Sequence, residues 1–336
     1  MKDILNQLGQ LFILGYRGEK PPGSFLRFIA EENIGGVILF AENCSTPYAV
    51  RENVELIRAR LRKDQPFIAI DQEGGRVCRL KGAPAEYGSA WSYGQASDPS
   101  RFREQYVRSA VFMESLGINL NLAPVCDIFT NANNKCLTER CFGTTAADVT
   151  PFVQASVETS SRAGLLSCLK HFPGLGDAAI DPHNETSVVN YDPVVWEQRE
   201  KLPFVAGIEA GADMIMTTHV RYRNLDDQIA TGSEKIVNSL IRQMLAFDGP
   251  VITDDLTMGG AAVLGSHGER AVAAFEAGHD ILLYGQDTEA AVEAFDYFRE
   301  AVERGEVSKD RLTSALSRVS GIKFKLKSTT SSSSLR

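Results

Sequence analysis

Short apolar runs recur along the chain at 11–16, 36–40, 66–71, 119–125, 165–172, 213–219, 250–254 and 280–284. Between them lie stretches of helical period near 23–32, 47–62, 99–116, 148–163, 193–210, 233–247, 258–277 and 287–304, and a last one near 309–325. Runs this short, alternating with amphipathic helices, are the pattern of parallel strands covered by helices, because strands buried on both faces need no polar alternation. Eight such pairs predict a closed (β/α)8 barrel of the TIM type, an α/β fold. An open doubly wound sheet shows the same alternation and differs only in strand count and closure. Ser308 precedes a segment with Leu312, Leu316 and Val319 on one face and is a plausible N-cap for the last helix.

No linker rich in Pro, Gly or Ser interrupts the run of units between 20 and 320, so one domain over 1–325 is expected. The serine-rich remainder, 326–336, reads as a disordered tail. Length alone would also allow two ordinary domains; the unbroken alternation favours one.

Composition narrows the partners. The 336 residues carry 35 Lys and Arg against 43 Asp and Glu, a formal charge of −8. Such a chain lacks the clustered cations needed to bind nucleic acid or an anionic membrane surface. The longest apolar runs fall far short of the roughly 20 residues of a spanning helix. The first twenty residues show no secretory h-region, so a cytoplasmic location is expected. Six scattered cysteines without a CxxC pair read as reduced thiols. Nothing in the pattern sets an oligomeric state.

In a barrel of this type, chemistry gathers at the carboxyl ends of the strands. Here the apolar runs close on Asp71, on Asp127, on Lys170 and His171, on His219, and on Asp254 and Asp255. Any one of these acids could simply cap the next helix; five strands delivering carboxylate, lysine or histidine to one rim suggest a site. The densest stretch is 168–189, where Pro173, Gly174 and Gly176 turn the chain sharply into a long loop bearing Asp177, Asp181 and His183. Pro182 holds Asp181 extended, and a carboxylate two residues from a histidine can fix its tautomer and raise the basicity of the other nitrogen. A solvated histidine beside an Asx-type turn is the plainer reading of Asp181-Pro182-His183. There is no HxH or HExxH pair, no GxxxxGK[ST], no strand-linked GxGxxG and no GxSxG, so neither a metal nor a cofactor is expected. Acid, base and carboxylate-nucleophile chemistry is what these residue types leave.

DQEGGRV at 71–77, ERCFG at 139–143, KHFPGLGD at 170–177 with DPH at 181–183, and ITDDLTM at 252–258 resemble, in this order and spacing, the bacterial β-N-acetylhexosaminidases of glycoside hydrolase family 3. The likeness runs from about residue 8 to 290 and implies a (β/α)8 catalytic barrel. It matches Asp254 to a nucleophile that forms a covalent glycosyl-enzyme, His183 to the general acid/base and Asp181 to its partner. Asp71, Arg79, Arg140, Lys170 and His171 match residues that hold the sugar, and Asp127 matches a rim aspartate. The family usually has a small hydroxyl residue where this chain has Pro182, and often a histidine where it has Leu175. The implied activity is exo-acting, retaining hydrolysis of terminal β-linked N-acetylglucosamine from muropeptides during peptidoglycan recycling. Glycosyl transfer to phosphate, or sugar binding without catalysis, are the alternatives. Larger family members take the acid/base from a second domain; this chain carries its own candidate in His183.

Overall fold

Every apolar run singled out above contains a strand of one parallel sheet in the computed structural model, which describes residues 2–61, 65–178, 186–190 and 192–333. The strands are β1 (Phe12–Leu14), β2 (Gly36–Leu39), β3 (Phe67–Ile70), β4 (Leu120–Asn121), β5 (Leu166–Phe172), β6 (Met214–Thr217), β7 (Val251–Thr253) and β8 (Leu282–Tyr284). Each pairs with the next in sequence, and β1 pairs with β8 in register Phe12 to Leu282. A parallel bridge from Ile252 to Ile281 joins β7 to β8 and brings the ends of the sheet together. The fold is the (β/α)8 barrel, not an open sheet.

Almost all strand residues are buried on both faces, which is why the runs carry so little polar alternation. Helix starts follow local chemistry. Thr46 and Asp98 accept from the backbone of Ala49 and Arg101, each ahead of a proline at the first helical position. Thr145 with Asp148, and Ser266 with Glu269, form reciprocal capping boxes. Ser308 accepts from Arg311 N at 3.4 Å, as its position suggested.

Two elements depart from the sequence reading. The fourth strand stops at Asn121 and parallel pairing resumes only at Val125 with Lys170, because Pro124 has no N–H to donate. The helix expected over 258–277 is split at Gly265, whose φ of +105° ends a short 259–264 turn before Ser266 caps His267–Glu276. The last helix, Lys309–Ser333, buries Leu312, Ala315, Val319 and Leu326.

That helix closes the amino-terminal mouth of the barrel. Lys323 Nζ donates to Gln10 Oε1 at 2.6 Å and to the Gly35 carbonyl at 2.8 Å. Arg311 and Arg318 meet the buried Asp280, which also takes Arg242 at 2.5 Å. The carboxyl ends of the strands are left for the site. All six cysteines are buried free thiols, and no described helix is long and apolar enough to cross a membrane.

Candidate active site

A cavity of about 520 Å³ opens at the carboxyl ends of the strands and is lined by Asp71, Glu73, Arg79, Arg140, Lys170, His171 and Asp254, with Met216 and Leu283 among its apolar walls. Its size and mixed lining suit a small polar ligand with apolar faces. Strand β3 delivers Asp71, and the hairpin that follows it delivers Glu73 and Arg79. Gln72 is what shapes this hairpin: its buried carboxamide oxygen accepts from Arg79 N at 2.8 Å and Leu80 N at 3.0 Å, and its nitrogen donates to the carbonyls of Leu80 and Ala85. Asn121 of β4 holds the Gln72 backbone from the other side, at 3.0 Å to both N–H and carbonyl.

Four charges interlock at the centre. Lys170 Nζ lies 2.7 Å from Asp71 Oδ1 and 2.6 Å from Glu73 Oε1, and only 2% of the residue is exposed. Arg140 clasps Glu73 through Nε at 2.8 Å and Nη2 at 2.9 Å. Two cations and two carboxylates balance, the condition for burying such groups at all. Burial alone would raise the Glu73 carboxyl, but the Arg140 guanidinium and Lys170 ammonium outweigh it and hold Glu73 well below the usual carboxylate range. The Lys170 ammonium is raised against its own burial by Asp71 and Glu73. Arg79 Nη2 reaches Asp71 Oδ2 at 3.4 Å, with its guanidinium 6.0 Å from the Phe40 ring centre.

His171 is set by its neighbours. Arg140 Nη2 lies 3.3 Å from Nε2, and a guanidinium can only donate, so Nε2 accepts and the ring proton sits on Nδ1, 2.6 Å from Asp127 Oδ2. Asp127 Oδ1 also accepts from Leu175 N at 2.6 Å. Asp127 is fully buried and is not among the residues that line the cavity. It stands behind His171, because Cys126 N bonds the Lys170 carbonyl and draws its segment against β5. The Lys170–His171 peptide is cis, and both side chains line the cavity.

Asp254 and Asp255 divide sharply. Asp254 sits at the end of β7, its Oδ1 accepting from Asp255 N at 2.8 Å. Asp255 turns its Oδ1 to Thr257 N and Oγ1 and to Gly285 N, all within 2.9 Å. Its carboxyl is pushed up by burial, with the Asp254 charge adding to this. A Cβ on Gly285 would stand 2.1 Å from Asp255 Oδ2, so glycine is needed there.

The loop root after β5 is heavily anchored. Trp196 Nε1 donates to the Pro173 carbonyl at 2.9 Å, Tyr222 to Gly174 at 2.7 Å, and Asn134 to Leu175 at 2.9 Å. Asp177 is bonded by Thr130 and by Arg199. Asp181, Pro182 and His183 lie outside the described residues. Of the sequence-derived candidates, the structure thus brings Asp71, Arg79, Arg140, Lys170, His171 and Asp254 to one cavity. Sequence reasoning passed over Glu73. It stands two positions after Asp71, where an extended chain returns to the same side, and that spacing is the signal that could have found it.

The chain matches the glycosyl hydrolase family 3 N-terminal domain over residues 4–322. It is 32% identical over 366 aligned positions to beta-hexosaminidase A of Pseudoalteromonas piscicida, covering 95% of this chain and 60% of that one. A solved family 3 beta-N-acetylglucosaminidase from a Paenibacillus species superposes with a TM-score of 0.92 at 31% identity, over 96% of this chain and 62% of that one. The beta-N-acetylhexosaminidase of Beutenbergia cavernae gives 0.86 at 29% identity, over 95% and 98%. The chain therefore spans about three fifths of some relatives and nearly all of others.

Proposed function

This chain belongs to glycosyl hydrolase family 3, and we propose that it is an exo-acting, retaining β-N-acetylglucosaminidase that trims terminal N-acetylglucosamine from muropeptides in peptidoglycan recycling, in the cytoplasm. The observation that carries the reading is one cavity in which the Asp254 carboxylate shares the lining with the Asp71, Lys170, Glu73 and Arg140 charge network. Asp71 and Lys170 offer an acceptor and a donor 2.7 Å apart, a pairing suited to adjacent sugar hydroxyls. His171, with its proton fixed on Nδ1, keeps a nitrogen lone pair toward Arg140 and the cavity.

In the first step Asp254 attacks the anomeric carbon, the bond to the aglycone oxygen breaks, and that oxygen takes a proton from His183. In the second, water attacks the glycosyl ester, His183 accepts its proton, and the Asp254 carboxylate is released. An imidazole of ordinary pKa, about 6.5, can serve in both steps, with Asp181 orienting it. Asp71, Arg79, Arg140, Lys170 and His171 hold the sugar, and Asp127 acts through His171.

The test is hydrolysis of an aryl β-N-acetylglucosaminide compared with the matching glucoside, with Asp254→Asn as control. Turnover of the N-acetylglucosaminide, lost in the variant, supports the reading. Sugar 1-phosphate formed in phosphate buffer would make the protein a phosphorylase. Binding without turnover in the unchanged chain would make it a sugar-binding barrel.

A further inference from the structure

Beneath Asp254 lies a buried polar chain that the proposed chemistry does not use. His219, at the end of β6, is fully buried; its Nε2 lies 2.9 Å from the Asp255 carbonyl and its Nδ1 2.7 Å from Thr231 Oγ1. A carbonyl can only accept, so Nε2 carries the proton, while Thr231 Oγ1 stands against Nδ1 and shares its one hydrogen between that nitrogen and the Thr218 carbonyl at 3.0 Å. Thr231 Oγ1 stands 3.5 Å from Thr217 Oγ1, which meets Nε2 of a second buried histidine, His279, at 2.8 Å. His279 Nδ1 donates to the Ala274 carbonyl at 2.9 Å. Burial lowers both histidines, His279 to about 3, so each works as a neutral hydrogen-bonding group.

Asp255 is the point on which these contacts converge. Its carbonyl is held by His219, its carboxylate by Thr257 and Gly285, and its N–H points at Asp254 Oδ1 at 2.8 Å. These bonds restrain the residue on both sides of its Cα, which limits how far that N–H can turn. We infer that His219 is a positioning residue for the Asp254 carboxylate: by holding the Asp255 carbonyl, it keeps the Asp255 N–H aimed at the oxygen of Asp254. The inference rests on Asp254 being the nucleophile. An N–H aimed at a carboxylate favours its ionised form, the form that attacks. The charged groups facing His219 are the Asp254 and Asp255 carboxylates and Arg270, with His279 behind Thr217.

The experiment compares the unchanged chain with His219→Ala, His219→Gln and Thr231→Val on an aryl β-N-acetylglucosaminide. Rates are expressed per site labelled by a 2-deoxy-2-fluoro glycosyl donor, so that unfolded protein is not counted. The bond lost joins two neutral groups, which predicts a fall in kcat of about two- to tenfold for His219→Ala, with KM little changed. The acid limb of kcat/KM moves to higher pH as the ionised carboxylate loses support. Glutamine, whose amide can reach the same carbonyl, restores both quantities, and Thr231→Val lowers kcat in the same direction by less. A wild-type rate with an unmoved acid limb in His219→Ala overturns the inference, as does a loss confined to KM or a glutamine variant no better than alanine. Should His219→Ala not fold, an unchanged kcat and acid limb in Thr231→Val would overturn it alone. Absence of turnover in the unchanged chain would sink the proposed function, and this inference with it.

Discussion

Replacing Glu73 by glutamine removes one charge from a buried set that balances, and the cost can be worked from the contacts. Three donors from two cations reach its carboxylate: Arg140 Nε at 2.8 Å, Arg140 Nη2 at 2.9 Å and Lys170 Nζ at 2.6 Å. A carboxamide oxygen in the place of Oε1 can keep two of them, Arg140 Nη2 and Lys170 Nζ, and its NH2 group then faces Arg140 Nε. The one charge-assisted bond lost accounts for about 1.5–3 kcal/mol. Two buried cations left with one carboxylate set the larger cost, since breaking a buried ion pair from one side costs about 3–5 kcal/mol. Glu73→Gln should therefore lower the free energy of unfolding by about 3–5 kcal/mol, measured as a lower denaturation midpoint at unchanged slope. The sign with pH also follows. Because the folded-state pKa of Glu73 is depressed, its stabilisation is present above the unfolded value of about 4.3 and is lost as pH falls toward the folded one. The variant should lose less stability than the wild type as pH drops through that window. A loss below about 1 kcal/mol near neutrality, or an unchanged acid limb, would refute the picture of Glu73 as the counter-ion of Arg140 and Lys170.

Two other perturbations probe the frame around the site. Glu200 is buried against Gly174, with Oε1 on Arg199 Nε at 2.5 Å, and burial raises its carboxyl to about 7. A raised folded pKa means stability is greatest below about 4.3 and falls as pH rises toward 7, so Glu200→Gln should flatten the stability profile between about pH 4.3 and pH 7, and an unaltered slope would refute the assignment. At the opposite end of the barrel, Asp280 accepts from Arg242, Arg311, Arg318 and Val251 N. Asp280→Ala strands three guanidinium groups and should cost about 3–5 kcal/mol in denaturant while leaving KM per labelled site unchanged; a shifted KM would show that this end communicates with the cavity.

The barrel was legible because a strand buried on both faces must be an unbroken apolar run, and 66–71 or 280–284 can be little else between their flanking polar segments. Helix Ala90–Ala96 was not, since seven residues containing Gly94 offer too short a period to recognise. Strand ends also announced the cavity: Asp71 and Asp254 stand just past the last residues of their strands, and Lys170 near the end of β5. What the sequence could not display is pairing. Glu73 becomes a site residue only through Arg140 and Lys170, far along the chain, and Asp127 moves behind His171 because backbone bonds to β5 place it there. His219 read as one more rim residue until its ring was seen to hold Asp255.

The claim on which the rest depends is that Asp254, and not its neighbour, attacks the sugar. Trapping with a 2-deoxy-2-fluoro glycosyl donor, followed by peptide mapping, tests it directly. One glycosyl group per chain is expected, attached to Asp254, with labelling abolished in Asp254→Asn. Attachment to Asp255, or turnover that survives in Asp254→Asn, would contradict it.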